Sequence, residues 1–261
     1  MPFFALLSAL ALTGTPGKGQ GSVSLRFHPP VGRSYHYLMY MSMAMDHVEG
    51  MPSMNFKMDL GMQMKALSKT GDVTSMEYRV TSVKVTAPSD SPMASMQQTM
   101  QKQLSGKVFK GNIDSLYHVS GMSGSGMDSM INSMSSNISY PNHPVKVGES
   151  WTTSLDMGKA MGAMGGGMGL SAGTSKIPVT FRLVKISNQG GKTVAAVRVS
   201  MNGVMNLGGA QAMKMNLDSS GTINIDVANG MTLNQMMTST IGMNVAGKHL
   251  VQHMNQALSQ H

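Results

Sequence analysis

Two stretches of alternating sequence determine what kind of fold this chain can form: residues 39–45, MYMSMAM, and residues 54–64, MNFKMDLGMQM. In an extended strand successive side chains point to opposite faces, so the alternate methionines of each stretch share one face. Gly50 and Pro52 lie between the two stretches and are typical of a turn. The sequence therefore predicts a β-hairpin with one apolar face and one polar face.

The apolar face of this hairpin is the candidate functional surface. Its predicted members are Met39, Met41, Met43, Met45, Met54, Met58, Met62 and Met64. Methionine has an unbranched, polarizable side chain that adapts to varied apolar shapes, which favours contact with a lipid-like ligand or a partner protein. The same positions also suit a closed hydrophobic core, and that alternative stays open.

Alternation continues beyond the hairpin and predicts a mainly β, α+β fold. Further strands are predicted near residues 74–86, 107–119, 176–187, 193–207, 213–217, 221–227 and 231–245. Apolar residues at helical spacing predict helices near residues 93–104 and 127–134. Leu250, Val251, Met254 and Leu258 fit either a last helix or another strand. Together these patterns predict a strongly curved antiparallel sheet or half-barrel with two or three helices packed on one face.

The N-terminus has the pattern of a secretory signal peptide. Residues 3–12, FFALLSALAL, form an apolar run that is shorter than the ~20 residues needed to cross a bilayer. We therefore predict a leader over residues 1–17, a single β-rich domain over residues 18–261, and a periplasmic or extracellular location. A stretch rich in glycine and methionine near residues 158–173 predicts a linker between two similar halves.

Composition excludes several classes of function. With no cysteine, the chain can form neither a disulfide framework nor a thiolate site. The net charge is +8, but the basic residues are scattered and aromatic residues are only 5%, which argues against a nucleic-acid interface. The positive charge allows a weak contact with an anionic envelope surface. No second apolar run approaches membrane length, so the protein is predicted not to be transmembrane.

Motifs for catalysis or cofactor binding are missing from the sequence. There is no G-x-S-x-G elbow, and the carboxylates are dispersed, so we predict a non-enzymatic protein with no catalytic, cofactor-binding or metal-binding residue. His249 and His253 have metal-like spacing only if their segment is helical. Two other functions stay open: a periplasmic Cu(I)-binding protein that uses thioether sulfurs, and a purely structural envelope protein.

One segment carries a family resemblance. Residues 141–151, PNHPVKVGESW, follow the pattern P-x-x-P-V-x-V-G-x-x-W, and Gly221, Asp226 and Gly230 follow G-x-x-x-x-D-x-x-x-G. Both resemble signatures of exported bacterial β-rich proteins of unknown function, some of them lipoproteins. The layout is also similar to that of half-barrel lipoprotein carriers. This resemblance implies an exported β-rich fold and no particular site residue.

Overall fold

The computed structural model shows a chain built mainly of β-strands. It describes residues 21–46, 55–88, 97–98, 101–123, 139–156, 171–172, 176–208, 213–245 and 248–261. The strands are β1 Ser22–Val23, β2 Ser34–Met45, β3 Asn55–Thr70, β4 Val73–Thr86, β5 Val108–Asp114, β6 Val119–Ser123, β7 Val145–Lys146, β8 Ser150–Asp156, β9 Ser171–Ala172, β10 Lys176–Gln189, β11 Lys192–Gly208, β12 Met213–Asp226, β13 Met231–Val245 and β14 Lys248–Gln260. The prediction of a mainly β fold is confirmed.

Within the described residues, twelve strands form one large antiparallel sheet. Its order is β6-β5-β4-β3-β2-β14-β13-β12-β11-β10-β8, with β9 paired to β11, while β1 and β7 form a separate pair. The end strands β6 and β8 do not pair with each other, so the sheet is open. The last strand, β14, pairs with the first long strand, β2, and this pairing joins the N-terminal and C-terminal parts of the chain at the centre of the sheet.

Alternation and turn chemistry explain the long strands. In the first hairpin Met41 pairs with Met58 and Met43 with Phe56, so the apolar positions of β2 and β3 face the same side. Between β10 and β11 the turn contains Gly190 and Gly191, with φ of 58° and 78°. Two consecutive positive φ values match the twist of a tight hairpin, and only glycine adopts them without strain.

The number of helices is the main error in the expected fold, since the helix observed in the described residues lies within the first predicted helix, near residues 93–104. Only one helix occurs in the described part of the chain, over residues 97–98 and 101–104, so two or three helices are not supported. The second predicted helix, near residues 127–134, lies outside the described residues, as do residues 1–20 and most of the predicted linker. Leu250, Met254 and Leu258 belong to strand β14. In the described ranges no helix is long and apolar enough to span a bilayer.

The large sheet has an apolar face, which we define as the side that carries its buried side chains. At one end of this face, which we call the closed end, residues 21–28 and 139–148 pack across the strands. Leu25 and Phe27 are completely buried there. The Arg26 guanidinium fastens the two segments together by donating to the carbonyl oxygens of Pro141 and Asn142, at 2.7 and 2.8 Å. The chain thus supplies the cover for this end of its own sheet.

Candidate functional site

Three neighbouring strands at the centre of the sheet have partly exposed side chains on the apolar face. We call these positions the central strip: Met39, Met41, Met43 and Met45 on β2; Gln252, Met254, Gln256, Leu258 and Gln260 on β14; Gln235, Met237, Ile241 and Met243 on β13. The strands on both sides are more deeply buried. Phe56 and Met58 on β3 are 4% and 7% exposed, and Met215 and Leu217 on β12 are 8% and 7% exposed. Solvent therefore reaches the apolar face along the central strip, between two buried borders.

Strand register places the side chains of the central strip in rows. One row runs from Met58 through Met41 and Gln256 to Met237. Because neighbouring strands are about 4.8 Å apart, the three strands of the strip span roughly 10 Å between the axes of β2 and β13. Side chains that are far apart in the sequence therefore lie next to one another on one surface.

The structure divides the eight methionines predicted from sequence into two groups. Met39, Met41, Met43 and Met45 lie in the central strip. Met58 and Met64 are buried, and Met62 is partly buried against two core clusters. Met54 lies outside the described residues. The β2 methionines are therefore partly accessible, whereas those of β3 border the strip or belong to the core.

Buried tyrosines line the closed end beside the central strip. The Tyr37 hydroxyl donates to the carbonyl of Thr232 at 2.9 Å, and the Tyr140 hydroxyl donates to the carbonyl of Gly230 at 2.8 Å. Burial raises the pKa of Tyr37 and of Tyr140 above the usual value, and it raises the pKa of Tyr117 to about 12. All three phenols therefore stay neutral at physiological pH, and the closed end carries no tyrosinate charge.

Strand β14 contributes residues that the sequence analysis did not identify. Gln252, Gln256 and Gln260 alternate with Met254 and Leu258 along the apolar face. A spacing of four residues keeps all three amides on one face of a strand. This glutamine repeat is the sequence feature from which their shared face could have been predicted. The Gln256 amide donates to the Met39 thioether sulfur at 3.4 Å. Because a thioether is a weak acceptor, the amide keeps most of its capacity for another partner.

Methionine residues are also paired across strands. Met41 is opposite Met58, and Met43 is opposite Met254, so four thioethers occupy neighbouring positions on β3, β2 and β14. Among the described residues no group of three or more His, Cys, Asp or Glu side chains could hold a metal ion. The predicted histidine pair is on strand β14, on the polar face, where four residues extend about 13 Å. That distance is too long for one metal ion to bridge the pair.

A hydrogen-bonded Asp–His–Ser series lies at the turn between β5 and β6. Asp114 Oδ2 is 2.8 Å from His118 Nδ1, and His118 Nε2 is 2.9 Å from Ser139 Oγ. Serine hydrolases use such a series together with backbone N–H groups that stabilise an oxyanion. Here the N–H of Tyr140, next to the serine, donates to the carbonyl of Leu116 at 2.7 Å and is occupied. The series therefore fastens the start of the 139–148 segment to the β5–β6 turn.

The carboxylate of this series is held in its ionised form. Partial burial raises the pKa of Asp114, but hydrogen bonds from the backbone and side chain of His118, its positive field, and the N–H of Leu116 together lower that pKa below the usual value. The acceptor that orients the imidazole is therefore charged at physiological pH. This supports a positioning role for the series at the closed end.

Two shallow grooves include residues of the polar face, and one of them also reaches Met39 of the central strip. One has a volume of about 270 Å³ and includes Leu38 and Tyr40, which are 53% and 40% exposed. Another has a volume of about 360 Å³ and includes Asn216 and His249. Both grooves are open, and their walls are mainly apolar.

Comparison with known proteins gives no family assignment. No protein-family model and no curated protein matches the sequence. A structure of lipovitellin that concerns its lipid–protein interactions is 11% identical, with a TM-score of 0.48, over 89% of this chain and 25% of that chain. A domain from Vibrio parahaemolyticus named as an outer membrane lipoprotein-sorting protein is 10% identical, with a TM-score of 0.16, over 85% and 83%. This chain spans a quarter of the lipovitellin chain, and both TM-scores are too low to establish a shared fold.

Proposed function

We propose that this chain is an exported, non-enzymatic envelope protein whose central strip binds the acyl chain of a lipid-like ligand. The observation that carries the proposal is the exposure pattern of the apolar face. Residues 21–28 and 139–148 cover its closed end, and the borders on β3 and β12 are buried, but the methionines of β2 remain partly accessible. A large exposed apolar patch on a folded protein commonly marks a binding surface.

Physical chemistry favours a flexible apolar ligand on this strip. An acyl chain that buries about 200 Å² of apolar surface gains roughly 5 kcal/mol before the cost of association. Seven of the thirteen strip residues are methionine, whose flexible thioethers adapt to a chain of variable length and unsaturation. The strip needs no fixed polar geometry to hold such a chain.

Titration with a fluorescent acyl ester tests the proposal. We expect saturable binding to the full-length protein and competition by an unlabelled ester of the same chain length. The variant Met39→Leu/Met41→Leu/Met43→Leu keeps an apolar strip of similar volume, so its affinity should stay within about threefold of the parent protein. No saturable binding, together with specific protein partners on crosslinking, would instead favour a purely structural envelope role.

Copper storage is a second candidate, because two cross-strand methionine pairs lie side by side. Thioether sulfurs are soft ligands that suit Cu(I), and Met41, Met43, Met58 and Met254 occupy adjacent positions. If copper is the ligand, the protein should compete with a Cu(I) chelator at micromolar metal, and Met41→Leu/Met43→Leu/Met58→Leu should lose that competition. We expect Met41→Leu/Met43→Leu/Met58→Leu to keep acyl binding, because leucine preserves an apolar surface of similar volume. Acyl binding and copper binding therefore predict opposite results for this one variant. An absence of competition in the parent protein removes the copper function.

A further inference from the structure

The polar residues of the central strip are all of one chemical type. Its four non-apolar members are Gln235, Gln252, Gln256 and Gln260, and none of its positions carries a charge. Strand register places Gln256 between Met41 and Met237, and Gln252 between Met45 and Ile241. Each of these two amides is therefore flanked by apolar side chains on the neighbouring strands.

These amides have unused hydrogen-bonding capacity. Within the described part of the chain, the Gln256 amide donates to a thioether sulfur, and the side chains of Gln235, Gln252 and Gln260 have no protein hydrogen-bond partner. A glutamine offers two N–H donors and a carbonyl acceptor. When an apolar ligand displaces water from the strip, these groups lose their water partners unless the ligand supplies replacements.

A charged ligand group would be costly on the same surface. Removing a charge from water is unfavourable unless an opposite charge or several strong hydrogen bonds compensate it. The central strip contains no Lys, Arg, Asp or Glu, and the neutral tyrosines of the closed end supply no charge beside it. A neutral group that accepts and shares hydrogen bonds avoids this cost.

We propose that the central strip selects uncharged acyl esters over free fatty-acid anions, with the β14 glutamines contacting the ester group. This inference rests on the proposed acyl binding and adds the class of ligand. The strip provides apolar side chains for the hydrocarbon and amides at intervals of about 13 Å along β14 for a neutral polar group. The overall charge of +8 would by itself attract an anion, so a preference for the neutral ligand must come from the strip.

Competition between two ligands with the same hydrocarbon chain tests this selectivity. Methyl oleate and oleate, measured at pH 8 by displacement of the fluorescent acyl ester, differ in the charge of the head group. We expect methyl oleate to bind at least about tenfold more tightly, because the strip offers no countercharge for a carboxylate. Equal or tighter binding of oleate overturns the selectivity and leaves acyl binding intact, whereas no displacement by either ligand contradicts acyl binding itself.

Substitution of one glutamine separates amide contact from simple apolarity. Gln256→Leu should weaken methyl oleate binding about threefold to tenfold, the effect of losing one hydrogen bond. Gln63→Leu is the matched control, because Gln63 is opposite His36 on the polar face, and it should leave affinity unchanged. If only the apolar character of the strip determines affinity, Gln256→Leu would bind methyl oleate more tightly than the parent protein. That result would overturn a role for the amide. The comparison of methyl oleate with oleate on the parent protein remains decisive even if the variant fails to fold.

Discussion

Replacing Gly230 with alanine is expected to lower the free energy of unfolding by about 3 kcal/mol, near the upper end of ordinary single substitutions. Gly230 has φ of 70°, and a Cβ atom there would collide with the Arg26 carbonyl and lie 2.8 Å from Phe27 Cα. The Gly230 carbonyl also accepts the hydrogen bond from the Tyr140 hydroxyl. The substitution would therefore push both covering segments away from the closed end.

Gly71→Ala is the matched control for this prediction, and urea unfolding monitored by circular dichroism measures both variants. Gly71 has φ of 58°, but a Cβ atom there would meet nothing within 4 Å. Its substitution should cost only the backbone strain of a left-handed residue, about 1–2 kcal/mol. Equal losses at the two positions would mean that contact with residues 26–27 adds nothing to stability.

Placing a carboxylate in the central strip is expected to reduce affinity for an acyl ester more than tenfold. Met41 lies between Met58 and Gln256, so Met41→Asp removes a methionine contact and introduces a charge with no partner beside the hydrocarbon. Fully burying a methionine side chain is worth about 1.5–3 kcal/mol, so losing part of that contact adds to the cost of the unpaired charge. The fluorescent ester titration used for the parent protein measures this loss.

Ser42→Asp provides the control, because Ser42 is adjacent in sequence but on the polar face of β2. It is opposite Lys57, which compensates the new charge, so acyl affinity should not change. Thermal unfolding of both variants establishes that they remain folded at the temperature of the titration. Equal affinities for Met41→Asp and Ser42→Asp would show that the ligand does not contact the central strip.

The β2–β3 hairpin could be predicted from the sequence because the alternation of apolar and polar residues within each strand is a local pattern. Alternation fixes which residues share a face, and a one-residue change of register would move every methionine to the polar side. The C-terminal segment was ambiguous for a simple geometric reason. Leu250, Met254 and Leu258 are four residues apart, and that spacing keeps side chains on one face of a helix and also on one face of a strand. Pairing with Met39, Met43 and the rest of β2 resolves the ambiguity.

The proposed binding surface could be predicted only in part, for a different reason. Methionine at positions 41 and 58 follows the same pattern, yet Met41 is partly exposed and Met58 is 7% exposed. Exposure depends on which distant segments pack nearby, and the pattern of one strand contains no information about them. The role proposed for the β14 glutamines depends on neighbours such as Met39, which is 217 residues from Gln256, so the sequence of β14 alone does not reveal it.

The sequence by itself determined the β-strand composition, the two-faced character of the strands and the methionine-rich chemistry of one face. These properties follow from side-chain alternation and residue type, which are local. Tertiary structure alone decided that β14 joins β2 at the centre of the sheet, that residues 21–28 and 139–148 cover the closed end, and that the central strip stays partly open. Long-range strand pairing and burial are collective properties, because they depend on contacts between segments that no local pattern specifies.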